Sequence, residues 1–205
     1  MLIDNRRAGL PAVLVVLLGI SAWAHDGHDH PAKPVPDREA HRPTAIPDRI
    51  IRTFAGDPAR SIAVTWRTDA SVEKAVAQIA PAGAGPKFAT RAKTSDAKSA
   101  SLTTDLGEGR YHSVVFDDLA PAQLYCYRVG DGVNWSEWIQ VKTAADNPEP
   151  FAFIYFGDAQ NDIKSLWSRV IRGAFSDAPK ARFIIHAGDL VNSANRDGTQ
   201  SGEAQ

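Results

Sequence analysis

Short β-rich segments separated by turn-forming residues fill the middle of the 205-residue chain. In the first of them, Ile62, Val64 and Trp66 alternate with Ala63, Thr65 and Arg67, which is the period of a strand with one buried face. About seven such strands within about 95 residues, without an amphipathic helix, predict an immunoglobulin-like β-sandwich. The other predicted strands lie near Ala75–Ile79, Ser101–Thr104, Tyr111–Phe116, Leu124–Val129 and Trp138–Val141.

The composition excludes some classes of protein. The 23 Lys+Arg and 24 Asp+Glu residues nearly balance, so we expect no nucleic-acid partner attracted by bulk charge. Hydrophobic residues make up 43 % of the chain, which argues against wholesale disorder. The lone cysteine, Cys126, cannot form an intramolecular disulfide, and we expect it to be a small buried side chain on a strand.

The first 24 residues have the layout of a secretory signal peptide. Arg6 and Arg7 precede an apolar run over 10–20, and Ala22-Trp23-Ala24 follows as a small-x-small cleavage site. An uncleaved N-terminal anchor is the alternative, although the run is shorter than the roughly 20 residues that a membrane span needs. We therefore expect a periplasmic or secreted protein without membrane contact after cleavage.

Residues 25–46 are expected to form a linker that contains histidine and much proline. His25–His30 places three histidines and two aspartates in six residues, a set that can chelate Zn, Cu or Ni. A solvated exported terminus is the interpretation we favour. The proline density from Pro31 to Pro47 predicts an extended, non-globular connection.

The last quarter of the sequence has a different pattern. After a polar boundary at 146–150, the apolar runs Phe151–Phe156 and Arg182–Ala187 read as strands of a parallel sheet buried on both faces. Each run ends in Gly-Asp, at Asp158 and at Asp189. Apolar residues at helical spacing separate the runs, and the repeat of about 30 residues matches one βαβ unit.

A right-handed crossover would make the two strands parallel and bring both aspartates to the same edge of the sheet. Neighbouring strands lie about 4.8 Å apart, so the two carboxylates could reach one metal ion. Two carboxylates so close would repel each other, and a divalent cation between them removes that cost. The alternative is that Asp158 and Asp189 only cap helices or form turns. Because the motif occurs twice with matching flanks, we favour the metal site.

Aromatic residues of the middle region allow a second kind of site. Trp135, Trp138 and Tyr111 could form a carbohydrate-binding face, but packing is the interpretation we favour because a small sandwich needs its aromatic residues. Asn134-Trp135-Ser136 is a glycosylation sequon only in a host that glycosylates exported proteins.

These segments resemble known families. Leu119-Ala120-Pro121 and Tyr125–Val129 are similar to the corner and penultimate strand of fibronectin type III domains, which implies that the Leu and a Tyr are core residues. Phe156–Gln160 and His186–Asn192 resemble the first two motifs of calcineurin-like metallophosphoesterases. The combination resembles the purple acid phosphatases, and it implies a fibronectin type III-like domain over 47–146 and the first βαβ unit of an incomplete α/β catalytic domain over 150–205.

The resemblance implies roles for particular residues. Asp158 would bind one metal ion and Asp189 would bridge two, the ions being Fe, Zn, Mn or Mg. Asn192 stands where purple acid phosphatases have a Tyr ligand, so it would be a weak oxygen ligand and the purple colour would be absent. Gln160 stands where many relatives have a metal-binding His; it and His186 are candidates to support the site, with packing favoured for His186.

The resemblance further implies a third motif, Gly-Asn-His-Asp/Glu, and later histidines, none of which follows Asp189. We therefore expect the chain to be the N-terminal part of an exported acid phosphatase that hydrolyses phosphate monoesters through a metal-activated hydroxide, and to be inactive alone. The alternative is a non-catalytic fibronectin-like binding module with a vestigial hydrolase segment.

Overall fold

The computed structural model describes residues 35–104 and 106–190. Two units divide the chain, 1–34 and 35–205, and the description below concerns the second. The predicted signal peptide, the histidine tract and Asn192 lie outside the described residues. No helix within the described ranges is long and apolar enough to cross a membrane.

Eight strands of the described residues form two four-stranded antiparallel sheets. They are β1 (Asp48–Thr53), β2 (Ile62–Asp69), β3 (Val76–Pro81), β4 (Lys93–Asp96), β5 (Lys98–Thr104), β6 (Gly107–Phe116), β7 (Leu124–Gly130) and β8 (Ile139–Lys142). One sheet has the order β1-β2-β6-β5 and the other β4-β3-β7-β8. This is the immunoglobulin-like sandwich that the sequence predicts.

The core lies between the two sheets and is built mainly from inward-facing residues of β2, β3, β6, β7 and β8. Val64 and Val129 are fully buried, and Trp66 is 1 % exposed. Leu119 and Tyr125 belong to the same core, which confirms the expectation for both. Cys126 is a buried free thiol, as predicted, and burial raises the pKa of its thiol.

The sequence pattern did not reveal β1 and β4. β1 alternates between half-buried and exposed residues, and β4 is almost wholly exposed, so neither has the strong apolar period of a central strand. A 3₁₀ helix at Pro86–Arg91 connects β3 to β4.

Part of the predicted linker packs on the sandwich. A single helical turn, α1 (Asp37–Ala40), precedes β1. The buried Arg67 side chain donates from Nη2 to the His41 carbonyl oxygen at 3.0 Å and pairs with the Asp48 carboxylate. Asp69 donates its backbone N–H to the Thr44 carbonyl oxygen at 2.9 Å. The prolines predict an extended, non-globular connection. The described part of the linker instead packs on the sandwich, because its backbone carbonyl oxygens accept hydrogen bonds from residues of β2.

After the sandwich, two short strands flank a helical segment. β9 (Ile154–Phe156) and β10 (Ile184–His186) pair in parallel, with Ile154 opposite Ile184 and Phe156 opposite His186. A π-helical turn (Ile163–Trp167) leads into α2 (Ser168–Asp177) between them.

The apolar runs of this segment are not buried as predicted. Phe151, Phe153 and Tyr155 are 58 %, 49 % and 66 % exposed, and α2 has no buried residue. The expectation of strands covered on both faces is therefore wrong for the described residues, because one helix cannot cover both faces of a two-stranded sheet. The assignment of this segment to an α/β metallophosphoesterase domain stays a prediction.

Candidate functional site

Both Gly-Asp segments lie at the carboxyl end of the β9–β10 pair. Ala187 donates its backbone N–H to the Phe156 carbonyl oxygen at 2.7 Å, and Asp158 donates its own to the Gly188 carbonyl oxygen at 3.2 Å. The parallel ladder thus continues past the last paired residues and brings the two aspartates to one edge. Open α/β sheets bind their ligands at such an edge.

The backbone turns sharply at each of these residues. Asp158 and Asp189 have φ values of 57° and 52°, and Gly188 has a φ of 111°. Aspartate tolerates the left-handed conformation better than most residues, but a non-glycine residue there still costs on the order of 1–3 kcal/mol. Non-glycine residues held in this conformation occur frequently at functional sites, and both aspartates adopt it.

Gln160 is placed to orient Asp158. Its side-chain Nε2 donates to Asp158 Oδ1 at 3.0 Å. An amide in this position fixes one carboxylate oxygen and leaves the other free to accept or to ligate. The structure therefore places Gln160 beside the candidate ligand, as the sequence suggested, and gives it a positioning contact.

His186 is the last residue of β10, two positions before Gly188. Its Nδ1 accepts the Gly188 N–H at 3.3 Å, and its ring meets Trp167 edge-on at 5.8 Å between centroids. Within the described residues its buried Nε2 has no hydrogen-bond partner. These contacts combine packing with support for the Gly188-Asp189 turn.

The described residues do not fit a complete two-metal centre. No group of three or more His, Cys, Asp or Glu side chains in this part of the chain is arranged to hold a metal ion. Asp158 and Asp189 can offer carboxylate oxygens, which hard divalent ions prefer, but an ion needs more ligands than these two residues supply. The predicted ligand Asn192 lies outside the described residues.

The predicted aromatic trio does not lie together, because Trp135 bridges Gly130 of β7 and Trp138 directly precedes β8, on the side of the molecule opposite β6. The Arg128 guanidinium lies over Trp135 at 4.1 Å and over Trp138 at 4.7 Å, and the Phe88 ring meets Trp138 edge-on at 5.0 Å. Tyr111 belongs to β6 in the opposite sheet. The tryptophan faces that stack on Arg128 cannot also stack on a sugar, so these contacts support the packing interpretation.

The Asn134-Trp135-Ser136 sequon is built into a tight loop. Asp131 Oδ2 accepts from Asn134 Nδ2 at 2.9 Å, and Asp131 Oδ1 accepts the Val133 N–H at 2.8 Å. Ser136 is buried, and its hydroxyl accepts the Val129 N–H at 3.1 Å. Both polar residues of the sequon therefore have structural partners in the folded domain.

A buried polar cluster was not anticipated from the sequence. His112 is 1 % exposed, and its two ring nitrogens lie 2.8 Å from Thr68 Oγ1 and 2.8 Å from Ser99 Oγ. Burial, with the nearby Arg110 charge, lowers the pKa of His112. The alternation of β6 could have revealed its inward position, because His112 shares parity with Val114 and Phe116.

The fold and these contacts define an immunoglobulin-like sandwich followed by a strand–helix–strand segment with two aspartates at one edge. Residues 47–143 match the family described as purple acid phosphatase, N-terminal domain. No curated protein matches the chain.

Solved structures with local similarity to about half of the chain were also found. A computationally redesigned β-sandwich protein is 19 % identical over 49 % of this chain and 96 % of its own, with a TM-score of 0.31. The FN1–FN3 domains of chicken CNTN1 are 19 % identical over 50 % and 31 %, with a TM-score of 0.35. Astrotactin-2, a vertebrate-specific perforin-like membrane protein, is 14 % identical over 51 % and 22 %, with a TM-score of 0.37.

Proposed function

We propose that this chain is part of an exported metallophosphoesterase that hydrolyses phosphate monoesters as an acid phosphatase. The observation that carries the proposal is the purple acid phosphatase N-terminal domain at 47–143, which relates the chain to a phosphatase family. The adjoining segment supports it, because Asp158 and Asp189 follow parallel strands at one edge. No observation favours a non-catalytic binding module.

Within this proposal, each residue at the edge has a separate task. Asp158 and Asp189 supply carboxylate oxygens to metal ions of the class Fe, Zn, Mn or Mg. Gln160 holds one oxygen of Asp158, and His186 supports the turn through its contact with the Gly188 N–H. The described residues bring no third His, Cys, Asp or Glu side chain to this pair.

The proposal includes export. Arg6 and Arg7, the apolar run over 10–20 and the Ala22-Trp23-Ala24 site support cleavage of a signal peptide and a periplasmic or secreted enzyme. An exported phosphatase would meet phosphate esters outside the cytoplasm.

The test is hydrolysis of p-nitrophenyl phosphate by the full product of the gene, with Asp189→Ala beside it. We expect the variant to lose activity by at least about 100-fold, since even groups that only support metal ligands cost 10–100-fold when removed. Asp177→Ala, the same substitution at an exposed position of α2, is the matched control and should stay within about twofold. Equal rates for the parent and Asp189→Ala, or no hydrolysis by the full product, would overturn the proposal.

A further inference from the structure

A cleft of about 610 Å³ lies between the sandwich and the strand–helix–strand segment. Its walls come from the ends of β1 and β8, from the connection over 144–151, and from Arg182 and Phe183 before β10. Small-molecule sites in proteins usually have volumes of about 300–1,000 Å³. The cleft is therefore large enough for a ligand of several rings.

Phenylalanine rings form the apolar wall of this cleft. The Phe183 ring is central to this group. Its centroid lies 5.5 Å from the ring centroid of Phe54, 5.6 Å from that of Phe151 and 5.4 Å from that of Phe153, and the Phe183 and Phe153 rings stack with an interplanar angle of 12°. Phe54 and Phe151 nevertheless remain 48 % and 58 % exposed. Clustered aromatic surface of this kind marks binding sites more often than ordinary surface does.

The charged residues of the cleft are mostly cationic. Arg182 pairs with Glu149, its Nη2 lying 2.8 Å from Glu149 Oε1. Arg52 donates to the Arg182 carbonyl oxygen at 3.2 Å and lies over one face of the Phe54 ring, 5.8 Å from its centroid, and neither partner carries a negative charge. Lys142 also lines the cleft. The polar side of the cleft thus carries an excess of positive charge next to an aromatic wall.

We propose that this cleft binds a small, flat, apolar molecule that carries one anionic group. The rings of Phe54, Phe151 and Phe183 contact the apolar body, and Arg52 and Lys142 attract the anion. Charge complementarity and the exposed rings together favour this class over a neutral ligand or a cation.

The cleft lies at the amino ends of β9 and β10, whereas Asp158 and Asp189 lie at the carboxyl ends. The seven steps from Phe151 to Asp158 would span about 23 Å if fully extended, at about 3.3 Å per residue. A ligand in the cleft would therefore leave the aspartate edge open. It would instead join the sandwich to the segment that carries the aspartates.

The test uses 1-anilinonaphthalene-8-sulfonate, a flat aromatic anion that fluoresces when bound, with the full chain. We expect saturable binding that Lys142→Gln weakens about three- to fivefold, as the loss of one partly screened charge implies. Lys98→Gln, on exposed β5, is the matched control and should not change the Kd. Binding of the neutral analogue N-phenyl-1-naphthylamine should be the same with and without Lys142.

Substitution of the rings separates the cleft from other apolar surface. Phe151→Ala should weaken binding of both dyes at least about threefold, since it removes most of one apolar contact. Phe175→Ala, on the exposed face of α2, should leave both unchanged. Equal effects of the two lysine variants, or of the two phenylalanine variants, would overturn the proposal. Sedimentation that shows a dimer abolished by Phe151→Ala would assign the cleft to a second copy of the chain and would also overturn it.

Discussion

The backbone nitrogen of Asp158 donates a hydrogen bond of 3.2 Å to the carbonyl oxygen of Gly188, the residue before Asp189. This bond joins the two Gly-Asp segments directly, beyond the last pair of the parallel ladder. The arrangement ties the two candidate ligands into one structural unit.

Residues 25–205 alone should not catalyse phosphate ester hydrolysis. We expect this chain to hydrolyse p-nitrophenyl phosphate no faster than its Asp189→Ala variant, because the described residues bring no third His, Cys, Asp or Glu to the aspartate pair. The measurement is the initial rate with added Mn²⁺ or Zn²⁺. Metal-dependent turnover that disappears in the variant would show that the chain completes its own site.

Gly130 is a position where any side chain is expected to disrupt the sandwich. A Cβ atom there would lie 2.1 Å from the Asn134 carbonyl oxygen and 2.9 Å from Trp135 Cε3. Gly130→Ala should lower the free energy of unfolding by about 2–3 kcal/mol, because the backbone of the loop must move. Gly85 is extended and has nothing within 4 Å of such an atom, so Gly85→Ala should be neutral or slightly stabilising. Urea denaturation of both variants is the measurement, and equal midpoints would contradict the prediction.

The Tyr125 hydroxyl accepts the Ala120 N–H at 2.8 Å, and so fixes the corner that leads into β7. This is the contact of a tyrosine corner. Tyr125→Phe should cost about 1 kcal/mol, since it leaves the Ala120 N–H without its acceptor. Tyr155→Phe, at a residue that is 66 % exposed, is the control and should change stability by less than about 0.5 kcal/mol. A thermal melt of Tyr125→Phe that coincides with the parent would contradict this role.

His112 gives the sandwich a defined pH dependence. Its pKa is lowered in the fold, from an ordinary value of 6.5, by burial and by Arg110. The unfolded chain therefore binds a proton on His112 more tightly than the folded chain does. The free energy of unfolding is consequently not reduced by His112 above pH 6.5, and it decreases as the pH falls below that value. His112→Gln should flatten the slope of unfolding free energy against pH just below 6.5. An unchanged slope in urea titrations at several pH values would show that other groups cause it.

The sequence predicted the sandwich better than it predicted the segment after it. Alternation in strands such as β2 reports burial on one face, and the structure places Val64 and Trp66 in the core accordingly. An apolar run such as Phe151–Phe156 indicates a strand that favours burial on both faces. It does not indicate which other helices or strands would cover those faces. The run became the three-residue β9, with Phe151 and Phe153 exposed.

The candidate site was predictable only in part, for a similar reason. Strand order and direction placed Asp158 and Asp189 at one edge, and the structure shows the backbone bond that joins their segments. Contacts such as Gln160 to Asp158, or the stacking of Arg128 between Trp135 and Trp138, depend on side-chain positions that no periodicity encodes. The cleft beside Phe183 arises between segments distant in sequence, so no local pattern could reveal it.

Because α2 buries none of its residues, the helix gains little hydrophobic stabilisation from the contacts described, whereas the sandwich closes its core by Val141. Partial digestion should consequently begin beyond residues 147–150 and spare the sandwich strands β1 to β8.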